Sequence, residues 1–362
     1  MKKLTDICDI QYGYAFDSRY FTEDPAYPPL VRIRDVKRGY SETYYSGGYP
    51  QEYILASGDL LIGMDGEFNI ARWKSDKALL NQRVCKLTAK KGTNEEYIRF
   101  AMSKALKKIE QKTAFVTVKH LSAKELNKLQ LYVPDLSEQN KIAEILSRLE
   151  EIIDIRQKEL EKLNELIKAR FVEMFGKVIE EEMVTMDEIC KIIADGTHQP
   201  PKFTNTGIPF LFVSNIITNE ICYDTEKFIS EETYAELIKR TPIEIGDILL
   251  STVGSYGHPA IVKTDRRFCF QRHIAYLKPK SDRVESEYLR GAILSDNVQR
   301  QIDERVKGIA QKTLNLSEIR KIRLPLPPIE IQNQFADFVK QVDKSKYDAM
   351  YVDINVLEYR CE

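Results

Sequence analysis

Cations suited to holding a phosphate backbone fall in two clusters at corresponding places in the chain. The first is Lys104, Lys107, Lys108, Lys112 and Lys119; the second is Arg305, Lys307, Lys312, Arg320, Lys321 and Arg323. Such contacts supply affinity and register but carry no sequence information. Motifs for covalent chemistry are missing. No Gly-x-Gly occurs, so the glycine-rich turn of a nucleotide or S-adenosylmethionine fold is absent, and so is a Walker-type phosphate loop. Gln199-Pro200-Pro201-Lys202 has the two prolines of an adenine methyltransferase Asn-Pro-Pro-aromatic motif but neither its Asn nor its aromatic. Asp65 and Glu67 lack the lysine that follows the carboxylates of a metal-dependent nuclease. His258, Cys269 and His273 form the tightest metal-like set, without a paired-ligand spacing. No catalytic or metal-ligating residue is assigned.

The chain has 362 residues, enough for two domains with sizeable cores. Its apolar runs are too short to span a bilayer, and Met1-Lys2-Lys3 leads into mixed polar sequence rather than a signal peptide. Six cysteines are scattered singly, which points to a reducing, cytoplasmic setting. The formal net charge is only −1, so any grip on nucleic acid must be local or shared with a partner.

The elements that must position those cations are organised around Ser137 to Phe175, a stretch without Gly or Pro. Its apolar residues recur at Ile142, Leu146, Leu149, Ile153, Leu160, Leu163, Ile167 and Phe171. That heptad spacing predicts one long helix of roughly 58 Å, a spacer between two lobes. The chain also repeats itself. Residues 120 to 142 align without a gap with residues 313 to 335, sharing Leu121/Leu314, Glu125/Glu318, Lys128/Lys321, Leu131/Leu324, Pro134/Pro327, Gln139/Gln332 and Asn140/Asn333. Upstream, Gly58-Asp59 matches Gly246-Asp247, Gln82-Arg83 matches Gln271-Arg272, and Tyr97 matches Tyr288. Each half reads as an α+β lobe. An amphipathic turn leads to a strand at Pro29 to Ile33 or Pro209 to Val213, and a Gly-Asp turn to further strands. A helix over 95–111 or 287–305 follows, then a basic loop, a short helix from Ser122 or Ser317, and the long helix. The expected divisions are a first lobe at 1–136, a spacer at 137–178, a second lobe at 179–328 and a C-terminal helix at 329–362. The loops diverge: Gly63 to Trp73 has no close likeness in Ser251 to Val262.

In this order, duplicated around a long helix, several segments resemble the DNA specificity (S) subunit of type I restriction-modification systems. They are Ala194 to Ile216, Gly246 to Val262 and Leu314 to Phe335 in the second half, and Gly58 to Trp73, Leu79 to Leu87 and Leu166 to Gly176 in the first. The resemblance implies a non-catalytic subunit with two target recognition domains separated by long helices packed as an antiparallel coiled coil. Each domain would read half of a split, asymmetric site in double-stranded DNA. The helices would set the gap and dock methyltransferase (M) subunits, which carry the S-adenosylmethionine, and a restriction (R) subunit could join. The chain itself would bind no cofactor. Tyr347 to Glu362 lacks leucine heptads, so the second helix is expected to be shortened, leaving a stripe at Leu160, Leu163 and Ile167 for a partner subunit. Competing readings are a fragment of a methyltransferase or restriction enzyme with its catalytic domain elsewhere, a truncated subunit acting as a dimer, and a purely structural coiled-coil adaptor.

Residues identical in both halves cannot tell two half-sites apart, so Gln82, Arg83, Gln271 and Arg272 are expected to serve as scaffold or backbone contacts, beside Lys112, Lys119, Lys307 and Lys312. Base readout should fall on polar loop residues that differ between the halves. The candidates are Arg19, Arg32, Arg34, Lys37, Asp65, Glu67 and Asn69 in the first. In the second they are His198, Gln199, Lys202, Asn215, Ser255, Tyr256 and His258.

Overall fold

The computed structural model describes residues 1–112, 120–176, 183–308 and 312–358, with side chains over those ranges except at 112 and 348–358. The chain forms two compact units, Met1–Ile155 and Arg156–Glu362. Two β-rich lobes of mixed α+β structure are linked by long helices that pack together.

In the first unit a four-stranded antiparallel sheet runs in the order Cys8–Tyr12, Val84–Ala89, Leu60–Gly63, Asn69–Arg72. Both faces are covered, which explains why the strand at Leu60 reads as an unbroken apolar run. Leu60, Ile62, Cys85 and Leu87 pack with Ile98, Met102 and Leu106 of the helix Glu95–Lys112. Leu61 and Val84 point the other way, towards Val31, Val36, Leu55, Trp73 and Leu80. The second unit repeats this order with Cys190–Asp195, Ile274–Pro279, Ile248–Ser251 and Pro259–Ile261. Ile248, Leu250, Ala275 and Leu277 face one core; Leu249, Ile274 and Tyr276 face another.

A smaller sheet in each lobe carries one parallel pairing, Leu30–Val31 with Ala78–Leu80 and Ile208–Leu211 with Cys269–Phe270. These strands are shorter than the sequence pattern implies. Ile33–Arg38 is a helix, because the Asp35 carboxylate accepts from the Arg32 amide (2.9 Å) and closes the first turn. Val213–Asn215 is likewise a 3-10 turn. The helix expected over 287–305 is two, Ser286–Leu294 and Asp296–Arg305. Ser295, extended at ψ 149°, breaks it: its hydroxyl donates to Ala292 O (2.7 Å) and accepts from the Val298 amide.

Most of the repeated identities prove to be framework. Gln139 and Gln332 are fully buried. Each accepts from the amide that starts the lobe's main helix, Asn94 or Glu285 (both 2.9 Å). Each also donates to a proline carbonyl, Pro134 O at 2.8 Å or Pro327 O at 2.7 Å. Tyr97 and Tyr288 donate to Tyr132 O and Pro325 O in the same way. In the Gly-Asp turns, Gly58 and Gly246 have φ of +91° and +93°, a region that favours glycine. Asp59 and Asp247 each accept from the amide three residues before (2.8 Å).

The central helix, Leu136–Phe175, is 40 residues long, about 60 Å at 1.5 Å per residue. Asp135 starts it by accepting from the Glu138 amide (3.0 Å). Its last turns deliver Phe171 and Phe175 into the second unit's core, against Tyr288 and Phe335 with ring centroids 4.9–5.8 Å apart. Burying each Phe is worth about 2 kcal/mol. Phe335 lies on the C-terminal helix, Ile329–Glu358, so the two long helices meet here. That helix continues past Lys346 and is 30 residues long, against 40 for the central one. No helix among the described residues is long and apolar enough to cross a membrane.

Candidate nucleic-acid interface

The edge of the first lobe that carries Asp65 and Arg83 is built by three connections. The turn after Leu60–Gly63 carries Asp65 and Glu67. Arg83 sits in the turn before Val84–Ala89 at φ +71°, a left-handed conformation uncommon for a side-chain-bearing residue. His120 is bridged to Asp65 backbone to backbone. The Arg83 guanidinium thereby lies 3.6 Å from the Asp65 carboxylate and 3.1 Å from His120 Nδ1, and His120 also contacts Asp65. Beside this closed trio, Lys37 reaches Glu67 (3.6 Å) and Asn69 donates to Glu67 O (3.0 Å). Lys119 and the side chain of Lys112 lie outside the described residues.

The matching edge of the second lobe is open. Thr313 takes the place of His120 and bridges Val253, which takes the place of Asp65. A cleft of about 280 Å³ at this edge is lined by Asp195, Thr252, Val253, Arg272, His273, Thr313 and Asn315. Arg272 is exposed, and its Nε is 3.3 Å from His273 Nε2. No carboxylate among the described residues pairs with it. Burial and the Arg272 charge lower the His273 pKa, so the ring favours its neutral form, which can both donate and accept. Asp195 at the cleft wall holds His198 (2.7 Å) and Arg240. Lys307 and Lys312 are exposed next to the cleft, and Lys312 O accepts from the Gly254 amide.

The remaining candidates divide by what their side chains already hold. Arg32 and Arg34 are exposed and line a cleft of about 630 Å³ with Glu42 and Thr43. Arg19 is exposed but forked onto Asp17 (2.5 Å). Gln82, Gln199, Lys202 and Ser255 are exposed, and Gln271 is half-buried. Gln82 and Gln271 are held through their amides, on Tyr14 O and Leu211 O. Tyr256 donates to Asp303 (3.0 Å), and half-buried His258 faces Asn219 (3.3 Å) with its pKa lowered by burial. Asn215 is buried. Its amide oxygen accepts from the Phe212 amide and its nitrogen donates to Cys222 O and Asp224 O, so it braces a loop from within. Arg320 and Lys321 are engaged by Asp187 and Glu318. On the central helix Leu160, Leu163 and Ile167 are half-buried, and Ile167 packs on the second unit's core.

Four polar residues of these edges escape the sequence reading as reading-edge groups: His120, Asp195, Arg240 and His273. A signal existed for one. His120 aligns with Thr313 in the repeat, so the rule that unlike residues at matched positions discriminate would have selected it. Among the described residues no group of three or more His, Cys, Asp or Glu is placed to hold a metal ion.

Known proteins place this geometry in context. A family model described as the type I restriction modification DNA specificity domain matches residues 1–165 and again residues 179–359. The type I restriction enzyme EcoBI specificity subunit of Escherichia coli is 32% identical over 371 residues, covering 94% of this chain and 78% of that protein. The MjaVIII specificity subunit of Methanocaldococcus jannaschii is 22% identical over 315 residues, covering 81% and 74%. A crystal structure of the type I restriction-modification S subunit from M. genitalium shares the fold, with a TM-score of 0.56 at 15% identity over 98% of this chain and 92% of that one.

Proposed function

The chain belongs to the type I restriction-modification DNA specificity family, and on that premise we propose that it reads a split, asymmetric target in double-stranded DNA, one lobe to each half-site. The proposed recognition domains are residues 1–136 and 179–328, with 137–178 as spacer and 329–362 as the second helical element. Methyltransferase subunits, which bind S-adenosylmethionine, dock on the helical region with their catalytic sites over each half-site, and a restriction subunit joins them. This chain adds no catalytic residue.

The observation that carries the reading is the pairing of one scaffold with two unlike edges. Strand order, buried glutamines and capping tyrosines recur in both lobes. The side chains at the matched edges do not: Asp65 and His120 stand where the other lobe has Val253 and Thr313. Chemically different edges on one framework suit two different base sequences. Arg83 and Lys37 at the first edge and Lys307 and Lys312 beside the second would supply phosphate contacts.

Methylome sequencing of a host carrying this chain and its partner methyltransferase tests the reading. A bipartite motif with two unlike halves is expected. A palindromic motif would assign the reading to one lobe in a dimer. Methyl transfer or cleavage by this chain alone, given DNA, S-adenosylmethionine and magnesium, would show catalysis in the chain itself.

A further inference from the structure

Beside apolar contacts at Ile142 and Ala143 or at Phe335 and Val339, each lobe makes polar attachments to two points on one face of the helix that follows it. The first is the buried glutamine, Gln139 or Gln332. The second is a carboxylate eleven residues further on, Glu150 or Asp343. Eleven residues make three turns, so both points share a face about 16 Å apart. In the first lobe Arg72, at the end of the sheet's edge strand, holds Glu95 (2.9 Å) and Glu96. Glu96 accepts from Arg99 (2.6 Å), and Arg99 forks onto Glu150 at 3.1 and 2.6 Å. In the second lobe Lys263, just beyond the matching edge strand, reaches Glu220 (3.1 Å), Glu287 (3.9 Å) and Asp343 (3.4 Å). Arg290 crosses from Glu287 to Glu220 (both 3.6 Å). The cation that reaches the helix differs, an arginine from the main helix in one lobe and a lysine from the sheet edge in the other, yet the carboxylate position is the same.

We propose that Glu150 and Asp343 are positioning residues that lock each lobe's angle on its helix, and so set the gap between half-sites that the chain accepts; this rests on the reading of a split target. A single polar attachment, with the apolar contacts near it, leaves the lobe some freedom to tilt on the helix. A second, three turns away, removes that freedom. Stability alone is a poor reason for the arrangement, because half-exposed ion pairs contribute at most about 1 kcal/mol. A small angular change at the lobe, carried to the reading edge, shifts the half-site register.

The test uses the full chain with its partner methyltransferase and duplexes carrying the methylome-derived half-sites at the native gap or one base pair longer or shorter. Glu150→Arg should lower discrimination against the altered gaps about fivefold. The charge-exchanged pair Arg99→Glu/Glu150→Arg, made together with Glu96→Gln so that the new carboxylate meets no like charge, should restore it. In the same chain, with Cys222→Ser and Cys361→Ser, spin labels at Lys91→Cys and Ile155→Cys should give a distance distribution that broadens in Glu150→Arg and narrows again in the exchanged pair. Unchanged gap preference and distance in Glu150→Arg, an equal loss of affinity for all three gaps, or an exchanged pair that restores neither would overturn the proposal. If the wild-type chain itself shows no gap preference, the split-target reading fails, and the distance measurement still judges the latch.

Discussion

The two lobes hold the same arginine in opposite circumstances. Arg83 is clasped by Asp65 and His120 in a turn strained to positive φ, whereas Arg272 lies open beside a cleft with a neutral-favouring His273. The same residue type at matched turns, one at positive φ and one not, can thus be a partly neutralised, oriented group in one lobe and an available cation in the other. Residue identity alone does not assign a role. The neighbours supplied by two other connections, Asp65 or Val253 and His120 or Thr313, decide it.

The strongest way to break the comparison is to damage one framework and ask whether the other notices. A Cβ on Gly13 would sit 2.0 Å from Asn81 O, and one on Gly196 2.2 Å from Phe270 O. Gly13→Ala and Gly196→Ala should each destabilise its own lobe by about 3 kcal/mol. The chain's single tryptophan, Trp73, is buried in the first lobe, so its emission reports that lobe alone. In urea, Gly13→Ala should lower the Trp midpoint, while Gly196→Ala should leave it in place and shift only the circular-dichroism transition. Equal shifts of both signals by either variant would mean the lobes unfold as one.

Next in size are the shared glutamines. Gln139→Ala and Gln332→Ala each strand a helix-starting amide and should cost about 2 kcal/mol, by the same two signals. A much smaller loss in one lobe would show that the repeated bond is not equally used.

The arginines themselves should separate on DNA. Arg272→Ala should weaken binding of the assembled complex by about 1 kcal/mol and flatten its salt dependence. Arg83→Ala should do less, because Asp65 already offsets its charge. Asp65→Asn should free Arg83 and steepen the salt slope. Equal losses for the two alanine variants, measured by titration at several salt concentrations, would erase the asymmetry argued here.

The smallest effect concerns pH. Burial lowers the His258 pKa below its ordinary 6.5, so the unfolded chain takes up a proton that the folded chain resists. The second lobe should therefore lose this contribution as pH falls below about 6.5, down to the depressed folded value. The stability advantage of the wild type over His258→Gln should shrink across that window. An advantage that stays constant or grows on acidification would contradict it.

Local order is what the sequence by itself determined. The long helix was legible because its apolar spacing matches a helical period over 40 residues without a breaker, and the two-lobe plan because a gapless repeat at one offset has no other simple origin. Of the positions shared by both halves, Gln139/Gln332, Asp59/Asp247 and Tyr97/Tyr288 are framework, whereas Arg83 and Arg272 differ in their surroundings. Only the tertiary structure decided which polar loop residues are available. Asn215 looks like a base-reading amide in the sequence and is spent on three bonds inside its own lobe; Tyr256 and Arg320 are likewise engaged by distant carboxylates. Ser295 breaks a helix that periodicity carries straight through it, since a serine can cap a new helix only where the chain is allowed to turn. The edges at Arg83 and Arg272 join residues from three or more loops, as far apart in the chain as Asp65 and His120 or Asp195 and Asn315. No periodicity connects such residues; their proximity is a product of strand order and packing.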